Sequence, residues 1–147
     1  MLNFEILEAT TDPDITRLYP VMKELRPHIT TSEDFLARVR RQRENYGFRL
    51  IYVEDSETPV AAAGFRITEY LFSGKMLYVD DLICLESHRG KGFAEALMRW
   101  MEEFAKKENC AEFHLDSGTF RIPAHYFYYR LGLSITAFHF AKKTGGR

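Results

Sequence analysis

Tyr78-Val79-Asp80-Asp81-Leu82-Ile83-Cys84-Leu85-Glu86-Ser87-His88-Arg89-Gly90-Lys91-Gly92-Phe93-Ala94 reads as a buried strand, a short glycine-containing turn and the start of a helix. Between Arg89 and Ala94 the side chains are small or flexible, so consecutive backbone N–H groups can face an anion at the positive end of the following helix. Two common phosphate loops do not fit. A dinucleotide fingerprint needs a third Gly or Ala three residues after Gly92, where Glu95 stands, and a P-loop needs Gly-Lys-Ser/Thr after a wider gap.

Length and composition limit the architecture around this loop. A chain of 147 residues implies one domain over 1–147, and 46% hydrophobic with 14% aromatic residues suffices for a sizeable core. The formal net charge of -1 gives no reason to expect nucleic acid or an anionic membrane as partner. No apolar run approaches the ~20 residues of a membrane helix. Met1-Leu2-Asn3-Phe4-Glu5 lacks the parts of a signal peptide, so a cytoplasmic location is expected. Neither Cys84 and Cys110 nor His114, His125 and His139 show metal-ligand spacing; no metal is expected, and both thiols are expected reduced.

Periodicity supplies the element order. Phe4 to Glu8 alternates as a strand. After Asp12-Pro13, Ile15, Leu18, Tyr19, Met22 and Leu25 keep one helical face up to Pro27. A second helix runs from Thr31-Ser32 to Gly47, with Phe35, Leu36, Val39 and Tyr46 inward. Phe48 to Val53 and Val60 to Ile67 form a hairpin, and Met76 to Leu85 is a long strand feeding the loop. Phe93, Leu97, Trp100, Met101 and Phe104 mark the clearest helix. Glu112 to Leu115 is a short strand, Ala124 to Leu131 a helix ended by Gly132, and Leu133 to Ala141 a last strand. An antiparallel meander with one helical crossover is an α+β layout.

The order Arg89-Gly90-Lys91-Gly92-Phe93-Ala94 resembles the Arg/Gln-x-x-Gly-x-Gly/Ala signature of the GCN5-related N-acetyltransferases, the GNAT superfamily. Ala124-His125-Tyr126-Phe127-Tyr128-Tyr129-Arg130-Leu131-Gly132-Leu133 resembles that family's Ala-x-x-Phe-Tyr-x-x-x-Gly-Phe/Leu segment, and the element order matches over essentially the whole chain. The resemblance implies the acyl-CoA N-acyltransferase fold: a mixed, mostly antiparallel central sheet flanked by helices. It implies acetyl-CoA as co-substrate, with no metal, and direct transfer of the acetyl group in a ternary complex to a primary amine of a small molecule or peptide.

The same resemblance assigns roles. Main-chain groups of Leu82, Ile83, Cys84 and Leu85 would pair with the pantetheine arm, and the amides of Arg89, Gly90, Lys91, Gly92, Phe93 and Ala94 would hold the pyrophosphate, with positive charge from Arg89 and Lys91. Ser117 stands beside the position where family members often carry an asparagine and could offer its hydroxyl. Tyr128 aligns with the general acid towards the CoA thiolate. Acetyl transfer also needs a proton removed from the amine, a task for Asp80, which aligns with the family's glutamate, or for Asp81, directly or through water; the alternative is that these carboxylates satisfy backbone or arginine donors or simply attract a cationic amine. On a regular strand adjacent side chains point to opposite faces, so one of the two is expected to face the groove. Tyr19, Arg26, His28, Ile29 and Tyr70 to Lys75 would line the acceptor site, where the acidic pair suits a cationic amine and Arg26 and Arg66 could hold a carboxylate. Two alternatives stand beside the transferase: a non-catalytic acyl-CoA-binding or sensor module, and a structural or interaction protein whose loop binds some other anion, with a homodimer through an exposed edge strand such as the last as one form it could take.

Overall fold

Local chemistry opens the first helix. The Thr11 hydroxyl accepts from the Asp14 N–H at 3.3 Å and the Asp14 carboxylate accepts from the Thr11 N–H at 3.4 Å, a capping box that starts α1 (Asp12–Arg17). The computed structural model describes residues 3–146. The single predicted helix before Pro27 is two helices, because Pro20 has no N–H to continue the ladder. The chain pivots at Leu18 into α2 (Tyr19–Leu25), which carries the proline in its first turn. The Thr31 hydroxyl accepts from the Asp34 N–H at 3.1 Å to start α3 (Ser32–Tyr46), and Gly47, at φ 68°, ends it.

The sheet has the order β1-β2-β3-β4-β5, with strands Leu7–Glu8, Arg49–Asp55, Thr58–Tyr70, Gly74–Cys84 and Glu112–Leu115. The first four are antiparallel neighbours; β5 runs parallel to β4 after the crossover through α4 (Phe93–Lys107). Alternation assigns the faces. Leu50, Tyr52, Ala62 and Ile83 join Ile15, Leu18, Val21, Met22, Phe35 and Val39 in one buried cluster with α1 to α3. Phe65 points the other way, 5.6 Å from the Phe104 ring and 6.1 Å from the Trp100 ring of α4. Trp100 in turn lies nearly parallel to Phe104, at 5.3 Å and 4°.

Two compact units divide the chain, the larger ending at Leu115 and the smaller beginning at Asp116. The smaller contains α5 (Ile122–Arg130), which starts two residues before the predicted Ala124 because Pro123 suits the first helical turn. Its C-terminal end closes with Gly132 at φ 89° and a Leu133 N–H to Tyr128 carbonyl bond of 3.1 Å. The predicted last strand, Leu133 to Ala141, is corrected: the segment forms no strand, and from Ser134 to Ala141 every residue is exposed. Apolar alternation allows an extended chain, but a strand exists only where a neighbour supplies ladder bonds.

Candidate active site

The loop after β4 is shaped by two glycines. A short 3₁₀ turn (Glu86–His88) leads to extended Arg89, then Gly90 at φ 77° and Gly92 at φ 91°, the left-handed region that side chains disfavour. Gly92 is the N-cap of α4 and brings no side-chain cap, so the opening amides are left to another acceptor. The first of the turn to close is Ala96, whose N–H reaches the Gly92 carbonyl at 3.0 Å. Arg89 and Lys91 are exposed beside these amides, whereas Phe93 is buried and anchors the helix start. The Arg89 Nε donates to the Cys84 carbonyl at 3.3 Å, which ties the loop back to β4. Both ring nitrogens of His88 have protein partners: its Nε2 lies 3.2 Å from Asp55 and its Nδ1 2.8 Å from the Ser87 hydroxyl.

β4 presents an open edge next to this loop. Its parallel pairing with β5 runs from Met76↔Glu112 to Val79↔Leu115 and stops there, while pairing with β3 continues to Ala61↔Cys84. From Asp81 to Cys84 the strand is therefore laddered on one side and has no β5 residue opposite on the other. Leu82, Ile83 and Cys84 lie on that stretch, and Leu85 follows it with its own N–H bonded to the Val60 carbonyl at 2.9 Å. Burial pushes the Cys84 thiol pKa up, only partly offset by Arg89, so the group stays protonated.

The two carboxylates do not split between faces. Gly64 opposes Asp81 and Phe65 opposes Val79, so Asp80 is the extra residue of a β-bulge. Asp81 shares the α3 face with Gly64, and the bulge turns Asp80 to the same face. There Arg66 binds Asp80 through two bonds, Nε to Oδ1 at 3.0 Å and Nη2 to Oδ2 at 2.5 Å. Arg66 also reaches Gln42 at 3.1 Å and the Tyr46 carbonyl at 3.5 Å, both on α3, and lies over the Phe48 ring. Asp81 is met by Arg26 at the end of α2, Nε to Oδ1 at 2.7 Å, and Arg26 Nη2 also donates to the Asp80 carbonyl at 2.9 Å. The expectation of one carboxylate per face is thus corrected by the bulge. Burial raises the Asp81 pKa and Arg26 opposes that rise.

In the smaller unit, the Ser117 hydroxyl is buried and has no hydrogen-bond partner among the described residues. Gly118 follows, its carbonyl 2.8 Å from His125 Nε2. Tyr128 lies on α5; burial raises its phenol pKa above the usual 10.0, and Arg121 at the helix start opposes the shift. Sequence reasoning named Arg26 and Arg66 and allowed that the two carboxylates satisfy arginine donors, but it did not say which arginine meets which carboxylate, and it missed Gln42. Gly64 was the one available signal, since a glycine within a strand often marks a bulge.

Among the described residues no group of three His, Cys, Asp or Glu side chains is placed to hold a metal ion, and no helix is long and apolar enough to cross a membrane.

Comparison with known proteins adds an independent line. The profile described as the Acetyltransferase (GNAT) family matches residues 13–133. An uncharacterized N-acetyltransferase, YhdJ of Bacillus subtilis (strain 168), is 28% identical over 138 residues, covering 92% of this chain and 95% of the relative. Streptothricin acetyltransferase of Streptomyces lavendulae is 31% identical over 86 residues, 54% of this chain and 46% of that protein. The solved structure of aminoglycoside N-acetyltransferase AAC(6')-Iy in complex with CoA superposes with a TM-score of 0.84 at 15% identity, over 98% of this chain and 96% of that one.

Proposed function

The chain belongs to the acetyltransferase (GNAT) family, and from that membership we propose that it moves the acetyl group of acetyl-CoA to a primary amine of a small molecule or peptide, by direct transfer in a ternary complex. The observation that carries this reading is the continuity of the open β4 edge with the glycine-built amide cradle after it. The first suits an extended amide-bearing arm laid down as an added strand, and the second a pyrophosphate. In this reading main-chain groups of Leu82, Ile83, Cys84 and Leu85 border the pantetheine arm. The amides of Arg89 to Ala94 hold the diphosphate, with Arg89 and Lys91 adding charge, and Ser117 offers its buried hydroxyl.

Tyr128, kept protonated by its burial, is the acid towards the departing thiolate. Asp80 and Asp81 draw a cationic amine, and the raised pKa of Asp81 suits it to accept the amine's proton, directly or through water. A second reading, a domain that binds acyl-CoA without transferring it, draws support from the ion pairing of both carboxylates.

Acetyl-CoA titration by calorimetry, followed by thiol release across a panel of amines, amino acids and peptides, tests both. Saturable binding with amine-dependent release is expected. Binding without release from any amine favours the second reading, and no binding removes both.

A further inference from the structure

We propose that Arg26 is a pre-oriented carboxylate fork, and that the acceptor is an amino-carboxylate whose ammonium meets Asp81 while its carboxylate meets Arg26. The inference rests on the acetyl-transfer reading and narrows its acceptor class. Arg26 and Arg66 are the two guanidinium groups beside the carboxylate pair, and their states differ. Arg66 is used up: Asp80 takes it bidentately, Gln42 and the Tyr46 carbonyl take its remaining directions, and only 23% of its side chain is exposed. Arg26 spends one edge, Nε and Nη2, on Asp81 and the Asp80 carbonyl. Its Nη1 makes no hydrogen bond among the described residues, and 40% of the side chain is exposed. A guanidinium held along one edge and open at the other matches a planar carboxylate end-on.

The backbone beneath it is fixed as well. Arg26 precedes Pro27, which keeps it out of the helical region (φ -121°, ψ 65°), and its N–H bonds the Met22 carbonyl at 2.9 Å. The turn that follows is pinned where the Tyr19 hydroxyl donates to the Ile29 carbonyl at 2.7 Å. Asp81, with 12% of its side chain exposed, gives Oδ1 to Arg26 and keeps Oδ2 beside Gly64. Opposite charges thus stand side by side at the bulge where β4 parts from β5, and an acceptor with an ammonium and a carboxylate meets each with its complement.

Matched acceptors test this: amino acids against the amines that lack only the carboxylate, read as thiol release with saturating acetyl-CoA. The acids are expected to win by about tenfold or more in kcat/KM, because a site built to bond a group rejects the analogue without it. Arg26→Lys, which keeps the charge beside Asp81 but loses the fork, is expected to shrink that ratio through a higher KM for the acids. Equal use of acid and amine by the wild type, or an unchanged ratio in Arg26→Lys, overturns the assignment.

A second measurement needs no cofactor and no turnover. In the full chain labelled with 15N, the Arg26 Nε–H resonance is expected to shift saturably with sodium N-acetylglycinate and much less with N-acetylglycinamide. Equal responses, or none at millimolar excess, overturn the fork. Failure of acetyl-CoA to bind would instead remove the acetyl-transfer reading, so the two failures are distinguishable.

Discussion

At Gly64 an added Cβ would lie 2.4 Å from Phe48 Cζ and 2.8 Å from Asp81 Oδ2. Phe48 is a buried ring, and Asp81 is held by Arg26, so neither yields easily. Gly64→Ala is therefore expected to destabilise the fold by about 1–3 kcal/mol, measured as a lowered urea midpoint with unchanged m-value. Tyr128 belongs to the same scale. With its phenol pKa raised above 10.0, the group is protonated throughout the neutral range and its loss of activity belongs to the alkaline limb. Tyr128→Phe is expected to lower kcat by about 10²-fold or more with little change in acetyl-CoA affinity, and unchanged kcat would remove Tyr128 as the acid. Tyr128, Asp80 and Asp81 were singled out from the sequence as candidates, whereas Gly64 and the register it belongs to were not. Asp80 and Asp81 stand out as charges on an apolar strand. That both point to one face follows from a single extra residue in a ladder, a property of register between two segments that neither segment carries alone.

Among the elements, the loop and its helix were read most fully, because glycine position and helical period are local signals. Gly90 and Gly92 both take positive φ, as a backbone cradle requires. Gly92→Glu would place a bulky, negative side chain at φ 91° over the helix start and is expected to abolish acetyl-CoA binding in calorimetry while the far-UV circular dichroism is kept. Retained binding would sink the cradle assignment. Caps were equally legible. Thr31→Ala removes the 3.1 Å bond to the Asp34 N–H and is expected to cost about 1 kcal/mol, read as a lower thermal midpoint with no effect on acetyl-CoA affinity. The first helix was read one turn too simply, since its apolar stripe continues across Leu18 while the backbone does not. The last strand was overread for the complementary reason: its alternation is local, but its partner would have to come from elsewhere.

For the whole molecule, the strand order and the parallel β4–β5 pair follow from an antiparallel meander and one crossover, so the architecture could be reasoned from element order. The parting of β4 from β5 after Val79 does not follow from element order; it was implied by the family resemblance, which leaves main-chain groups of Leu82 to Leu85 open to the pantetheine arm. If acetyl-CoA binds the native chain alone, a hundredfold excess over Kd should stabilise it by about 2.7 kcal/mol, and the thermal midpoint should climb with ligand concentration. A midpoint indifferent to acetyl-CoA would contradict the proposed function. One packing detail bears on how such events can be watched. The chain has a single tryptophan, and Trp100 is stacked on Phe104 and tilted against Phe65, on the same helix whose first turn follows Gly92. Its fluorescence is consequently a native, label-free gauge of how α4 seats on the sheet, and every photon of indole emission comes from that one residue.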